Sequence, residues 1–303
     1  MSPAKMEHAH DVDVLMLGHF AKDRLVVDGV EETASGGAVY YGSIALRHLG
    51  ISVAVVTRAH PDDFSLLEDM EQEGVKVYAV PASATSGIRN IYDSSDMERR
   101  ICRLLSFAGA FREEDLPDIS AQVYLITPII AGEVDLALLK SMAARGPVGL
   151  DVQGFVRVPE DEEGEERELV FRQWPDMVEG LSHVTYLKVD RAEAELLTGK
   201  TTLKQAAEEL ASYGPREVVV TQSSGLIVYA DGQLYQAPFT SRSLVGRTGR
   251  GDTAFSTYVG KRLEISPEEA TRHAAAVTSL KQEKPGPWRG SSDDVQAALA
   301  RSR

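Results

Sequence analysis

Gly249-Arg250-Gly251-Asp252 sets two glycines and a carboxylate directly ahead of a helix-compatible run at 254–263. Glycine lets backbone N–H groups approach an anion with no Cβ in the way, and a helix N-terminus adds roughly half a positive charge. A carboxylate there is out of place as an anion ligand. It is well placed to take a proton from a hydroxyl about to attack a phosphate. The loop therefore points to phosphoryl transfer.

Two other nucleotide-binding patterns compete with this reading. Gly199-Lys200-Thr201 resembles the end of a P-loop, but the first glycine of that motif would fall at Ala194 and the preceding residues read as helix. Gly199 is better read as a helix C-cap. Residues 249–254 also satisfy the dinucleotide pattern G-x-G-x-x-A. The strand-end acid expected about 20 residues later is missing, because Glu268 and Glu269 begin a helix. An NAD-dependent oxidoreductase is thus the weaker alternative.

The 303 residues carry a net charge of −14 and a single cysteine, Cys102. That balance argues against nucleic-acid or anionic-membrane partners, so any polyanion must be held by local devices such as glycine loops, helix ends and a metal. One cysteine forms no internal disulfide, which points to a reducing cytoplasm. No apolar run approaches about 18 residues, and residues 1–11 are polar, so neither a membrane span nor a secretory signal is expected.

The elements that must position the loop alternate between strand and helix. Apolar runs at 12–17, 52–57, 75–80, 123–127, 148–152, 184–189 and 218–221 read as buried strands. Helical spacing at 38–49, 62–73 and 133–145 ends at Gly50, Gly74 and Gly146, each in the C-cap position. Thr202 with Gln205, and Ser266 with Glu269, form capping boxes. This is an α/β class chain: a mostly parallel central sheet covered by helices on both faces. Residues 23–35 and 86–107 break the rhythm as antiparallel strands, with polar turns at Asp28-Gly29 and Asp93-Ser94-Ser95-Asp96. They read as a small β lid over a core made of 1–22, 36–85 and 108–303. The acidic run 159–168 reads as a solvated loop leading into a helix.

Four segments in order resemble the ribokinase-like (PfkB) carbohydrate kinases over nearly the whole chain. These are Gly36-Gly37 before a helix, 188–199 with its Asp190-x-x-Glu193, the strand and turn 218–225, and the Gly249–Asp252 loop. The resemblance implies that Asp252 is the base and that the backbone N–H groups of Gly249, Arg250 and Gly251 form the anion hole. It implies ATP and Mg²⁺, with Asp190 and Glu193 at the metal and Lys188, Thr221, Ser223, Gly225, His273 and Ala276 at the nucleotide. It places Asp23, Gly36, Gly37, Tyr41, Gln153 and Arg157 at a small polyol, sugar or nucleoside. The D-V-Q-G-F-V-R run at 151–157 is closest to inositol-kinase-like members, which favours a myo-inositol-like cyclitol. A homodimer through the lid is a further implication. The chain departs from the family pattern at Asp190 (usually asparagine), Tyr41 (usually asparagine) and Arg250 (commonly alanine). The departures at Asp190 and Tyr41 leave a non-catalytic sugar- or nucleotide-sensing protein as the alternative.

Overall fold

The computed structural model describes residues 10–93, 96–160 and 166–301. Its main sheet runs Gln233–Pro238, Gly225–Ala230, Glu217–Gln222, Tyr186–Asp190, Val148–Asp151, Ala121–Ile126, Val12–Leu17, Val53–Ala59, Lys76–Pro81. The last seven of these are mutually parallel. Side chains alternate across each strand, so Leu15 and Leu17 pack on one helical layer with Leu139, Met142 and Leu210. Val14 and Met16 pack on the other, with Ile44, Phe255 and Tyr258.

All seven strands expected from apolar runs are present, with ends shifted by a residue or two. The hairpin Gly225–Ala230/Gln233–Pro238, which extends the sheet antiparallel to Glu217–Gln222, was not expected. The helix expected from 133 begins only at Leu136, capped by Asp135, and Gly146 ends it in extended backbone rather than the left-handed region. Residues 62–73 form a 3₁₀ segment, Pro61–Leu67, followed by a short α-helix, Glu68–Gln72.

The second sheet has the order Arg157–Pro159, Arg167–Phe171, Asp96–Ser106, Gly87–Asp93, Ala21–Val27, Val30–Gly36. The Asp28-Gly29 turn has φ of 49° and 83°, the paired positive values of a tight hairpin turn; Ser94 and Ser95 of the second turn lie outside the described residues. The sheet corrects the expectation at 159–168. Arg167–Phe171 is a strand, paired through Arg167↔Leu104 and Glu168↔Arg103. Its acidic neighbour Glu166 is ion-paired to Arg89 of the lid at 2.7 Å, and Leu169 joins the lid's apolar face. Of the charges that suggested solvent, Glu166 is matched by Arg89 and Glu160 by Arg172. Residues 161–165 lie outside the described residues.

The lid strand Ala21–Val27 follows directly from the carboxyl end of Val12–Leu17, so the small sheet stands at the carboxyl edge of the large one. Its inner face (Ala21, Ile88, Leu104, Leu169) packs on Ile129 and Ile130, which follow the strand Ala121–Ile126. On the core side the helices Ala38–His48 and Arg250–Arg262 cross very closely. A Cβ on Gly42 would lie 2.2 Å from Ser256 Oγ, and one on Gly260 would lie 2.4 Å from Leu46 Cδ2. No helix among the described residues is long and apolar enough to cross a membrane.

Candidate active site

Gly249 opens the helix Arg250–Arg262 in the left-handed region, φ 81°, so Asp252 falls in the first turn, where the helix end favours negative charge. A Cβ on Gly249 would come 2.3 Å from the Tyr41 ring. Glycine is thus required twice, by conformation and by the ring beneath it. The Arg250 N–H is turned back to the Arg247 carbonyl at 3.2 Å. Of the three amides expected at an anion hole, that of Arg250 is thus already engaged. A Cβ at Gly251 would stand 3.6 Å from Lys188 Cε, 3.9 Å from its Nζ and 3.9 Å from Thr221 Oγ1. The lysine amine and the threonine hydroxyl therefore face the turn.

Lys188 is buried, with Nζ 3.0 Å from Asp151 Oδ1 and 3.6 Å from Glu193 Oε2. Burial works against its charge, but Asp151, Glu193, Asp190 and Asp252 outweigh it and hold the amine protonated above the usual lysine range. Asp190 and Glu193 form a reciprocal cap at the start of Arg191–Thr198, each carboxylate accepting the other's backbone N–H at 2.7–2.8 Å. Burial pushes the Glu193 carboxyl up, opposed by Lys188, and its Oε1 has no hydrogen-bond partner. No cluster of three potential metal ligands is assembled among the described residues. Mg²⁺ usually keeps several waters and takes one or two carboxylates plus phosphate oxygens, and a buried carboxylate oxygen without a partner suits that arrangement.

Asp23 lies on the opposite, lid side. It is 7% exposed, its Oδ1 accepts the Ile88 N–H at 2.8 Å, and a Cβ at Gly36 would collide with its Oδ2 at 2.3 Å. Gly36 thus makes room for the carboxylate. Gly37, at φ 89°, turns the chain into Ala38–His48 against the His19 carbonyl. Burial first, then the charges of Asp252 and Asp23, raise the Tyr41 phenol well above the usual range. Its hydroxyl donates to Ser35 O at 3.3 Å, next to the Gly36 that packs on the Asp23 carboxylate, and its ring lies under Gly249. Asn90 and Cys102, paired across the lid strands with Sγ 3.4 Å from Oδ1, are buried at 5% and 8% exposure.

The remaining expected residues are less convergent. Gln153 starts a one-turn helix, its N–H on Asp151 Oδ1 at 3.0 Å, and Arg157 is buried where that helix passes into the lid strand Arg157–Pro159. Gly225 is demanded by the hairpin, since a Cβ would meet the Ala237 carbonyl at 2.4 Å; Ser223 lies in the same turn. Ala276 packs with Ala45, Val277 and Trp288, and His273 Nδ1 lies 2.9 Å from Glu269 O on its own helix. The face of Pro267–Gln282 that meets the 239–248 loop is another. Thr240 N–H donates to Ser279 Oγ and Gln282 Nε2 to Ser241 Oγ, both at 2.9 Å, and Gly246 N–H donates to Gln282 O at 2.8 Å.

Sequence reasoning passed over three groups. Asp151 was quoted only as part of a motif, yet it holds Lys188. Lys281 is buried beneath the loop. Glu133, expected in a helix, accepts the N–H groups of Ile129, Ile130 and His19 at 2.8–3.1 Å at the lid root. Ser86 Oγ accepts the Ala108 N–H at 3.0 Å and lies 2.7 Å from His19 Nδ1 in the same cluster.

The structure settles the competing glycine motifs. Gly199 is a left-handed C-cap, φ 68°, with its N–H on Glu195 O. The helix after Gly249 leads into another helix, Pro267–Gln282, and not into a parallel strand, which removes the dinucleotide reading. Residues 19–293 match the pfkB family of carbohydrate kinases. The chain belongs to that family. As a pfkB kinase it is a phosphotransferase that acts on a hydroxyl group, and it has the ribokinase-like fold. A pyrophosphate-dependent kinase of the ribokinase family, solved with a pyrophosphate analogue and myo-inositol, is 37% identical. That match covers 94% of this chain and 99% of that one, with a TM-score of 0.85. The ribokinase of Arabidopsis thaliana, solved with ribose and ATP, shares the fold at 20% identity and TM-score 0.72, over 95% of this chain and 98% of that one. The cytidine kinase of Thermococcus kodakarensis is 26% identical over 254 residues, 80% of this chain and 85% of that protein.

Proposed function

We propose that this pfkB kinase phosphorylates a hydroxyl of a cyclitol of the myo-inositol type, and that its donor is pyrophosphate rather than ATP. The observation that carries the acceptor half is the placement of Tyr41, whose ring lies under Gly249 and whose hydroxyl donates to Ser35 O beside the Gly36 that packs on the Asp23 carboxylate. The lid carboxylate would accept hydrogen bonds from the polyol, and Asp252 would take the proton of the attacking hydroxyl. The amides at Gly249 and Gly251, with Lys188 and Thr221 facing them, would receive the charge of the transferring group. Gln153 and Arg157 would line the acceptor side. A Mg²⁺ would be held by Asp190 and Glu193 through water, and would neutralise the donor's phosphates.

Pyrophosphate is supported by the relative at 37% identity, which is pyrophosphate-dependent. ATP with Mg²⁺ is the second reading. It is favoured by the nucleotide-contacting pattern at Thr221, Ser223 and Gly225, with His273 and Ala276 proposed at the base. In either case the protein would act in the cytoplasm on a small molecule, as a homodimer through its lid.

The test is turnover with myo-inositol, ribose and cytidine, each offered with pyrophosphate and with ATP, beside Asp252→Asn. The expected result is a kcat/KM at least tenfold higher with pyrophosphate and myo-inositol than with any other pair. Asp252→Asn should lose at least roughly a hundredfold in turnover while still binding donor. Equal or better use of ATP overturns the donor assignment. Full activity in Asp252→Asn removes the base, and ligand-induced stabilisation without turnover of any pair favours a sensor.

A further inference from the structure

The helix Pro267–Gln282 buries a lysine that the chemistry above leaves unused. Lys281 is 2% exposed. Its Nζ donates to the Gly246 carbonyl at 2.5 Å and lies 5.0 Å from the centroid of the Tyr41 ring. Burial pulls its pKa down to about 8, while the negative charge of Asp252 opposes that fall. A buried ammonium is costly unless well partnered, and for packing alone a methionine would serve better. The position is informative. Gly246 begins the turn into Gly249, and it is clamped to the helix at both backbone groups: its N–H to Gln282 O, its carbonyl to Lys281. A Cβ on Gly246 would lie 1.8 Å from the Lys284 carbonyl, so the contact admits only glycine. The Tyr41 ring beneath the ammonium is the same ring that seats Gly249. One cation thus touches both the start of the turn and its floor.

We propose that Lys281 is a positioning residue that supplies a tethered internal cation to the anion hole. Its ammonium fixes Gly246 and Tyr41, and through them aims the Gly249–Gly251 amides. Its charge, buried near Asp252, favours the anionic base and the negative charge that builds on the transferring phosphoryl group. A cation in a water-excluded site acts over several ångströms with little screening. The inference rests on reading Gly249–Asp252 as the site of phosphoryl transfer.

The experiment compares wild type with Lys281→Met, Lys281→Arg and Lys281→Ala, using the donor–acceptor pair that the wild type turns over best. Lys281→Met should lower kcat at least tenfold, with the acceptor KM changed less than threefold and the unfolding temperature equal to wild type or higher. Lys281→Arg, which keeps the charge, should recover part of the loss. Lys281→Ala should regain turnover in a saturable way on adding ammonium or methylammonium chloride, with no response to sodium chloride and none in the wild type. The groups facing the ammonium are Asp252 and Tyr41, whose phenol is raised well above its usual range. A loss of kcat as pH rises through about 8 should therefore be present in wild type and absent in Lys281→Met. Wild-type kcat in Lys281→Met overturns the proposal while leaving the site reading intact. So does a loss of kcat that only parallels a loss of stability, with no rescue by either amine. A wild type that turns over no pair sinks the site reading and this inference together.

Discussion

Gly249→Ala tests the geometry at the centre of the site. The backbone there is left-handed, at φ 81°, which costs a residue with a Cβ roughly 1–2 kcal/mol. The new methyl would also start 2.3 Å from the Tyr41 ring, and overpacking of that kind costs about 1–3 kcal/mol. Together these give a loss of about 2–5 kcal/mol in unfolding free energy. The two parts separate in a double-mutant cycle with Tyr41→Leu, measured by urea unfolding. Removing the ring should return the overpacking share and leave the backbone share, a coupling of about 1–3 kcal/mol. Turnover should not return, because a displacement of the turn by about 1 Å can cost on the order of a hundredfold in rate. A coupling within about 0.5 kcal/mol of zero would show that Tyr41 does not floor the turn. The packing account of Gly249 would then be refuted.

Two further outcomes follow from the lid. Asp23→Asn should raise the polyol KM by about ten- to a hundredfold, the worth of a charge-assisted hydrogen bond, with kcat changed far less; an unmoved KM in steady-state kinetics removes Asp23 from the acceptor. Glu133 at the lid root is raised by burial to about 8, against the pull of its three N–H donors. A carboxyl whose folded pKa lies above its unfolded one contributes stability that is complete below about 4.5 and is lost as pH rises through about 8. Glu133→Gln should flatten that slope in urea unfolding between pH 4.5 and 8; an unchanged slope would contradict the assignment.

The main sheet was legible because strands buried on both faces must be continuously apolar, and 12–17 or 218–221 cannot be read otherwise. The Gly249–Asp252 turn was legible because Gly249 and Gly251 have backbone reasons that survive translation into sequence. Arg167–Phe171 was hidden by the acidic run before it, since nothing local shows that Glu166 meets Arg89, 77 residues earlier. Lys281 was hidden for a related reason. A lysine on a helix reads as solvated until the loop that buries it is in place, and its partner, Gly246 O, is a backbone atom with no sequence mark. Glu133 has helical spacing with the residues after it, but its three donors lie in the turn before the helix and in the lid root. Departures from the family pattern were visible, and Tyr41 is the one the structure explains: its ring fills the space that Gly249 leaves open.

The near-contacts of Gly42 with Ser256 and of Gly260 with Leu46 tie the helix that begins at Gly37 to the helix that carries Asp252. At these crossings the Ser256 and Leu46 side chains pack against bare glycine backbone, so the two helices form one packed unit that carries both Asp252 and Gly37. On the function proposed above, a change in the lid would alter where the acceptor is held and leave Asp252 and the turn amides in place. Choice of alcohol and power to phosphorylate it would then be housed in separate parts of the chain. Substitutions at lid positions such as Asn90 and Cys102 would change the polyol admitted while the phosphoryl-transfer half is left as it stands.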